Sequence, residues 1–498
     1  MHLNDLPLSA FIAPDGSNRD AVATLLTQAL NLALEYATHA LDLPPLPLEP
    51  SDLPPTTLPE HGLPEGLLLD QLRALLVASM HPAHPGYIGH MDSLPTTMSL
   101  VGDLLSAALN NNMLSIEMSP LLSRLEWNTL RELARLFGLG EWAGGILLSG
   151  GSLANLEALA IARNHSLGLS DGALVASGLR PVLFASEAAH TSLQKAAMLL
   201  GLGSQAVIPV PLDSTGHLDV HRLPLLIEEA LARGEHPFCL VATAGTTVAG
   251  LIDPLARLAP IARRYGLWFH VDAAYGGALI FSERGRALLD GIEQADSVTF
   301  NPQKWLYVAK TCAALLLRNS DLFLQAFRTA APYMGPRSEP ASEEAEAAVP
   351  CNLGEIALQG TRHSDILKLW LSLQHLGRRG YARLVDESCR LASFAYERLR
   401  SLPELHVAHA PETNLLCFRL EPAWLPTDRH DQLNASLQAW LLEQEQIFLS
   451  LPLYRGQRWL RAVFLNPYTS EALIERLGSA IERFLAGERR RATASQTH

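Results

Sequence analysis

Between residues 145 and 300 the chain alternates short, almost uninterrupted apolar runs with longer stretches of helical periodicity. This alternation limits the possible folds more than any other feature. The apolar runs lie at 145–148, 182–185, 206–210, 238–243, 267–272 and 297–300. A half-exposed strand alternates apolar with polar residues, but several of these runs are apolar on both faces, as strands covered on both sides must be. Parallel neighbours need long crossover connections, usually helices, and the intervening stretches supply them. The expectation is an α/β architecture around a mostly parallel sheet.

The flanks read differently. Residues 1–90 form a helical arm or segment, with apolar residues at helical spacing over 22–41 and a proline-rich stretch over 44–64. An arm that cannot bury its own apolar side packs on a second subunit, so a homodimer is expected. Residues 91–375 hold the strand–helix alternation and form the large domain. Within them, 338–350 is acidic, with Glu339, Glu343, Glu344 and Glu346, and reads as a mobile loop. Residues 376–498 begin with helix, continue with strand-like segments at 414–420 and 459–465, and end in a helix, as a smaller α+β domain would.

A length of 498 residues suits two or three domains, and 48% apolar against 18% charged residues is a globular composition. The formal net charge of −13 argues against a nucleic-acid partner. The five cysteines (Cys239, Cys312, Cys351, Cys389 and Cys417) are scattered and form no CxxC pair, so neither a metal site nor a disulfide framework is expected, and a reducing, cytoplasmic location fits. The start of the chain carries Asp5, Asp15 and Asp20 and lacks the pattern of a secretory leader. No run of 18 apolar residues occurs, so no membrane partner is expected.

Five short strings carry chemistry. In FHVDAAYGG (269–277) an apolar strand delivers Asp272 at its C-terminal end, the edge at which open α/β sheets bind ligands. In NPQKW (301–305) Lys304 follows the apolar strand SVTF, and apolar surroundings favour the neutral, nucleophilic amine that can form a Schiff base. In LLSGGSLANLEALAIARN (147–164) a strand runs through a glycine-rich turn, with Gly151 and Ser152, into a helix whose first N–H groups make an anion site. His190, in EAAHTSLQKAA, stands at a strand-to-helix transition where its ring could stack on a planar ligand, and ATAGTT ends a strand with the hydroxyls of Thr246 and Thr247. Each string alone has an ordinary structural explanation: Asp272 could cap a helix, and a lone histidine is more often structural. All five fall at strand ends, in one order.

That order and these strings resemble the group II pyridoxal 5′-phosphate (PLP)-dependent amino-acid decarboxylases, which include the aromatic-amino-acid and glutamate decarboxylases. The resemblance also draws on HPGYIGH (84–90), NNNM (110–113), SPLLSRLE (119–126), GTRHSDILKLW (360–370) and, more weakly, LRAVFLNP (460–467). It implies PLP fold type I, the aspartate-aminotransferase-like architecture with a mixed, mostly parallel central sheet, and a dimer with active sites near the subunit interface. It implies Lys304 as the Schiff-base lysine, Asp272 as the partner of the pyridine nitrogen and His190 as the stacking ring. Gly151, Ser152 and Asn301 match phosphate contacts, Thr246 and Ala274 match residues lining the ring, and His81, His84 and Tyr87 fall in a pocket-lining segment. The implied reaction is decarboxylation of an L-amino acid, the small-molecule partner, to its amine.

Two departures touch the protonation that follows loss of the carboxylate. The family's histidine before the lysine is Gln303, which cannot change charge. The family's loop tyrosine falls on Cys351, and no tyrosine lies between Met334 and Arg362. Cys351 is therefore a candidate proton donor. A decarboxylating aldehyde synthase, a transferase and a non-catalytic binding protein of the same fold are the alternative readings.

Overall fold

The structure is a computed structural model, in which residues 6–48, 52–169, 173–327, 349 and 351–496 are described. The expected mobile loop at 338–350 lies outside the described residues, Val349 excepted.

Seven strands form the central sheet: β1 (Gly144–Leu148), β2 (Pro181–Ser186), β3 (Val207–Val210), β4 (His236–Thr243), β5 (Trp268–Ala273), β6 (Ser297–Phe300) and β7 (Ala313–Leu317). Their order is β1-β7-β6-β5-β4-β2-β3. From β3 to β6 every pairing is parallel, while β7 is antiparallel to both β1 and β6. The sheet is thus mixed and mostly parallel. β1, β2, β5, β6 and β7 are buried along their whole length, which explains their unbroken apolar sequences. Being antiparallel on both sides, β7 leaves β1 pointing the same way as β6. The C-terminal ends of β1, β4, β5 and β6 therefore share one edge, and the turns that follow them meet there.

Five helices precede or enter this sheet: α1 (Arg19–Thr38), α2 (Glu65–Val77), α3 (Thr97–Leu109), α4 (Pro120–Leu136) and α5 (Gly151–Ser166). A long helix, Ile366–Arg400, leads towards the C-terminal part and is broken at Gly377, whose φ of 62° favours glycine. Beyond it, the strands Leu405–Val407, Leu415–Leu420 and Leu460–Val463 form a second, antiparallel sheet. The helices His430–Glu445 and Glu471–Gln496 follow, and a separate apolar core joins Leu416, Phe418, Leu437, Ile474 and Ile481. Ile88 belongs to this second core. Val463 N–H donates to Ile88 O at 2.7 Å and Phe448 N–H to Gly86 O at 2.8 Å. The segment around residue 88, read from sequence as the end of an N-terminal unit, is woven into the C-terminal sheet.

No disulfide joins the five cysteines. Among the described residues, no helix is long and apolar enough to cross a membrane.

Candidate active site

At the shared strand edge lies a cavity of about 290 Å³. β5 brings Asp272 to its wall, with the side chain only 6% exposed. The carboxylate is held from two sides: Asn155 Nδ2 donates to Oδ2 at 2.9 Å and Ala274 N–H to Oδ1 at 3.1 Å. Asn155 lies one turn into α5, on the face that also carries Gly151 and Ser152.

α5 starts at the glycine-rich turn, and Gly150, Gly151 and Ser152 line the cavity. The first N–H groups of a helix have no intrahelical partner and form an anion site. A Cβ on Gly151 would meet Asn301 Nδ2 at 2.8 Å, so only glycine lets the turn approach that amide. Asn301 and Lys304 follow β6, and both line the cavity. Lys304 is half-buried. Burial pushes its basicity down, with help from Arg461 and Lys310, while Asp272 and Asp92 oppose the shift. The net effect is an amine more readily neutral than an ordinary lysine.

His190 also lines the cavity, where burial depresses its pKa against the opposing charge of Asp272. Its Nδ1 accepts from Ser192 N–H at 3.2 Å, so a neutral ring carries its proton on Nε2. Gln303 lines the cavity as well, its side-chain carbonyl occupied by Cys312 N–H at 2.5 Å.

The sequence-expected residues Gly151, Ser152, His190, Asp272, Ala274, Asn301 and Lys304 are thus brought together around one cavity. Thr246 is not among them: its hydroxyl accepts from Leu251 N–H at 3.1 Å and closes a turn, and Thr243 and Thr247 line the cavity instead. Nor do His81, His84, Tyr87 or Cys351 line it. His81 packs against Tyr36 in a tilted arrangement with ring centroids 4.2 Å apart, His84 Nδ1 accepts from Gly86 N–H at 2.9 Å, and Tyr87 donates to Met80 Sδ at 3.1 Å. Cys351 is buried in the main apolar core, with Leu353 and Ile356.

Sequence reasoning missed Asn155, although its spacing from Gly151 and Ser152 places it on their helix face. It also missed Arg461. This arginine sits inside the buried strand Leu460–Val463 and is 6% exposed. Nη1 donates to Thr247 O at 2.6 Å and Nη2 to Gly89 O at 3.0 Å, with His90 Nδ1 3.2 Å away. Its Nε has no hydrogen-bond partner, and the carboxylate that favours its charged form, Asp92, is shared with Lys310. A charged residue in an apolar strand was the available signal.

The cavity suits PLP on its own terms. Asn301 Oδ1 and Thr243 Oγ1 are buried without partners, the glycine turn leaves a cradle for an anionic group, and a carboxylate and a lysine of lowered basicity face the same space.

Residues 47–421 match the family described as the pyridoxal-dependent decarboxylase conserved domain. The chain is 30% identical over 410 residues to L-2,4-diaminobutyrate decarboxylase of Acinetobacter baumannii, covering 80% of this chain and 79% of that protein. It is 33% identical over 377 residues to human cysteine sulfinic acid decarboxylase, covering 74% of each. The crystal structure of mouse CSAD in its apo form superposes with a TM-score of 0.84 at 28% identity, covering 94% of this chain and 99% of that one. Sheet, cavity and matched length agree: the chain belongs to the pyridoxal-dependent decarboxylase family and is a PLP-dependent amino-acid decarboxylase.

Proposed function

We propose that the chain decarboxylates a short L-amino acid with an acidic side chain to the corresponding amine. The observation that carries this reading is Arg461, a buried guanidinium outside the cavity lining that donates to the carbonyl of the cavity-lining Thr247 and has an unpartnered Nε. Asp92 favours the charged form of this arginine but is shared with Lys310, so an arriving anion relieves part of the cost of burying the charge. The substrate's α-carboxylate is the poorer occupant. It loses its charge as it leaves, so a guanidinium gripping it stabilises the bound state more than the transition state. A side-chain acid keeps its charge throughout. Human cysteine sulfinic acid decarboxylase acts on such a compound by name; the diaminobutyrate enzyme does not.

PLP, when bound, supplies a conjugated ring that takes up the electron pair left by the departing carboxylate. In this reading Lys304 Nζ holds the cofactor covalently, and Asp272 serves the ring nitrogen. Gly151, Ser152, the first turn of α5 and Asn301 hold the phosphate, and His190 covers the ring. Proton return after carboxylate loss falls to Lys304 Nζ, whose lowered basicity makes its proton easier to give. Cys351, outside the cavity lining, is the weaker candidate.

The chain acts as a cytoplasmic homodimer in this reading. The absence of disulfides supports the compartment. The dimer is supported by α2, none of whose residues is buried although it carries Leu67, Leu68, Leu72 and Leu75, and by the exposed Leu26, Leu30 and Leu34 of α1 and Leu100, Leu104 and Leu105 of α3.

The test supplies holoenzyme with cysteine sulfinate, aspartate, glutamate, diaminobutyrate and an aromatic amino acid, and measures carbon dioxide, amine, aldehyde and peroxide together. Equal carbon dioxide and amine from the acidic substrates is expected. Arg461→Gln should raise their KM by roughly thirtyfold or more. Preference for diaminobutyrate or the aromatic, or an unchanged KM in Arg461→Gln, overturns the acidic-substrate reading.

A further inference from the structure

One face of β5 presents Trp268, His270 and Asp272 at a spacing of two, and only the last reaches the cavity. Behind it runs a chain of hydrogen bonds in which every donor can be assigned. Asn155 must turn Nδ2 towards the Asp272 carboxylate, which offers acceptors, and the same Nδ2 donates to Ser192 Oγ at 2.9 Å. That leaves Asn155 Oδ1 facing His270 Nε2 at 3.2 Å, so Nε2 carries the imidazole proton. His270 Nδ1 then accepts from Ser297 Oγ–H at 2.7 Å, and Ser297 Oγ accepts from Trp268 Nε1–H at 2.8 Å. Full burial holds His270 neutral, with its pKa pushed down to about 4.

We propose that Asn155 and His270 are positioning residues for Asp272, a directed relay from Trp268 that locks the Asn155 amide and thereby fixes the rotation of the Asp272 carboxylate. The inference rests on the reading that Asp272 serves the cofactor's ring nitrogen. Its physical content is the amide flip. With His270 Nε2–H on Oδ1, Asn155 cannot rotate, because rotation would set its oxygen against the carboxylate. Without that donor Asn155 Oδ1 loses its partner, and the amide is held only by its Nδ2 donations to Asp272 and Ser192, so the carboxylate is fixed less firmly.

The test compares wild-type holoenzyme with His270→Leu, which removes the donor, and His270→Gln, whose amide N–H can replace it. Each protein is loaded either with PLP or with an analogue in which carbon replaces the ring nitrogen. With PLP, His270→Leu should lower kcat roughly ten- to a hundredfold at nearly constant KM, and His270→Gln should recover to within roughly threefold of wild type. The pH midpoint of the bound cofactor's visible band should move in His270→Leu and return in His270→Gln. With the carbon analogue, all three proteins should converge on one low rate. A wild type indifferent to the ring nitrogen overturns the underlying reading of Asp272. Where wild type does depend on that nitrogen, the relay is overturned by a His270→Leu protein that matches wild type in kcat and band titration. It is equally overturned by a defect that persists undiminished with the carbon analogue. Should His270→Leu not fold, Ser297→Ala, which removes the donor to Nδ1, carries the same comparison.

Discussion

At Lys304 several fields meet on one nitrogen. Burial, Arg461 and Lys310 favour the neutral amine, and Asp272 and Asp92 favour the ammonium. Only the neutral form attacks a carbonyl, so the balance favours capture of the cofactor. Lys304→Ala should retain the fold but lose the visible band and the borohydride-reducible adduct of purified holoenzyme; a persisting adduct would identify another lysine as the attachment point. The placement of Asp272 and Lys304 at the cavity was legible in the sequence because one lies at the end of an apolar strand and the other in the turn just after one. Thr246 was not, because nothing in ATAGTT says which of two adjacent hydroxyls closes the turn and which faces the cavity. Arg461 lay within a string already noticed, but its burial depends on neighbours far away in sequence, Gly89 and Thr247.

Among the elements, α5 does two jobs. Its first turn offers N–H groups to the cavity, and its next turn receives the segment that follows residue 350. Glu157 Oε1 accepts from Leu358 N–H at 2.9 Å, and Gln359 Oε1 accepts from Ser149 N–H at 3.3 Å. Arg362 pairs with buried Glu126 at 2.9 Å in the same region. Glu157 Oε2, however, is buried without a partner, and burial raises the carboxyl from 4.5 to about 7. A carboxyl raised on folding gives its full contribution below the unfolded value and loses it as pH climbs through the folded one. Wild-type stability should therefore decline between pH 4.5 and about 7 on account of this group. Glu157→Gln should remove that decline and gain on the order of 1–3 kcal/mol at pH 8, with no gain at pH 4. Urea unfolding at the two pH values measures it, and equal effects at both would show that Glu157 does not titrate on unfolding. One strand that escaped sequence reading is β7, and Leu405–Val407 is another. The AALLL of β7 has no periodicity to separate strand from helix, and its antiparallel place between β1 and β6 is decided by the sheet it completes.

For the whole molecule, the leucines on α1, α2 and α3 make association the main expectation. Leu72→Glu combined with Leu30→Glu should halve the mass seen by sedimentation equilibrium, and a dimer that survives both changes would place the interface elsewhere. The large sheet was legible because its strands are contiguous runs, whereas the route of the chain near residue 88 was not, since strand pairing across 375 residues leaves no local trace. That route has a consequence for synthesis on the ribosome. The stretch that supplies Ile88 emerges 375 residues ahead of its hydrogen-bond partner Val463. Until then one apolar core lacks a member and a piece of backbone lacks its pairing. The large sheet can settle as it emerges, but the second core closes only once residues beyond 460 have appeared, so nascent chains halted before residue 460 should remain protease-sensitive around residue 88.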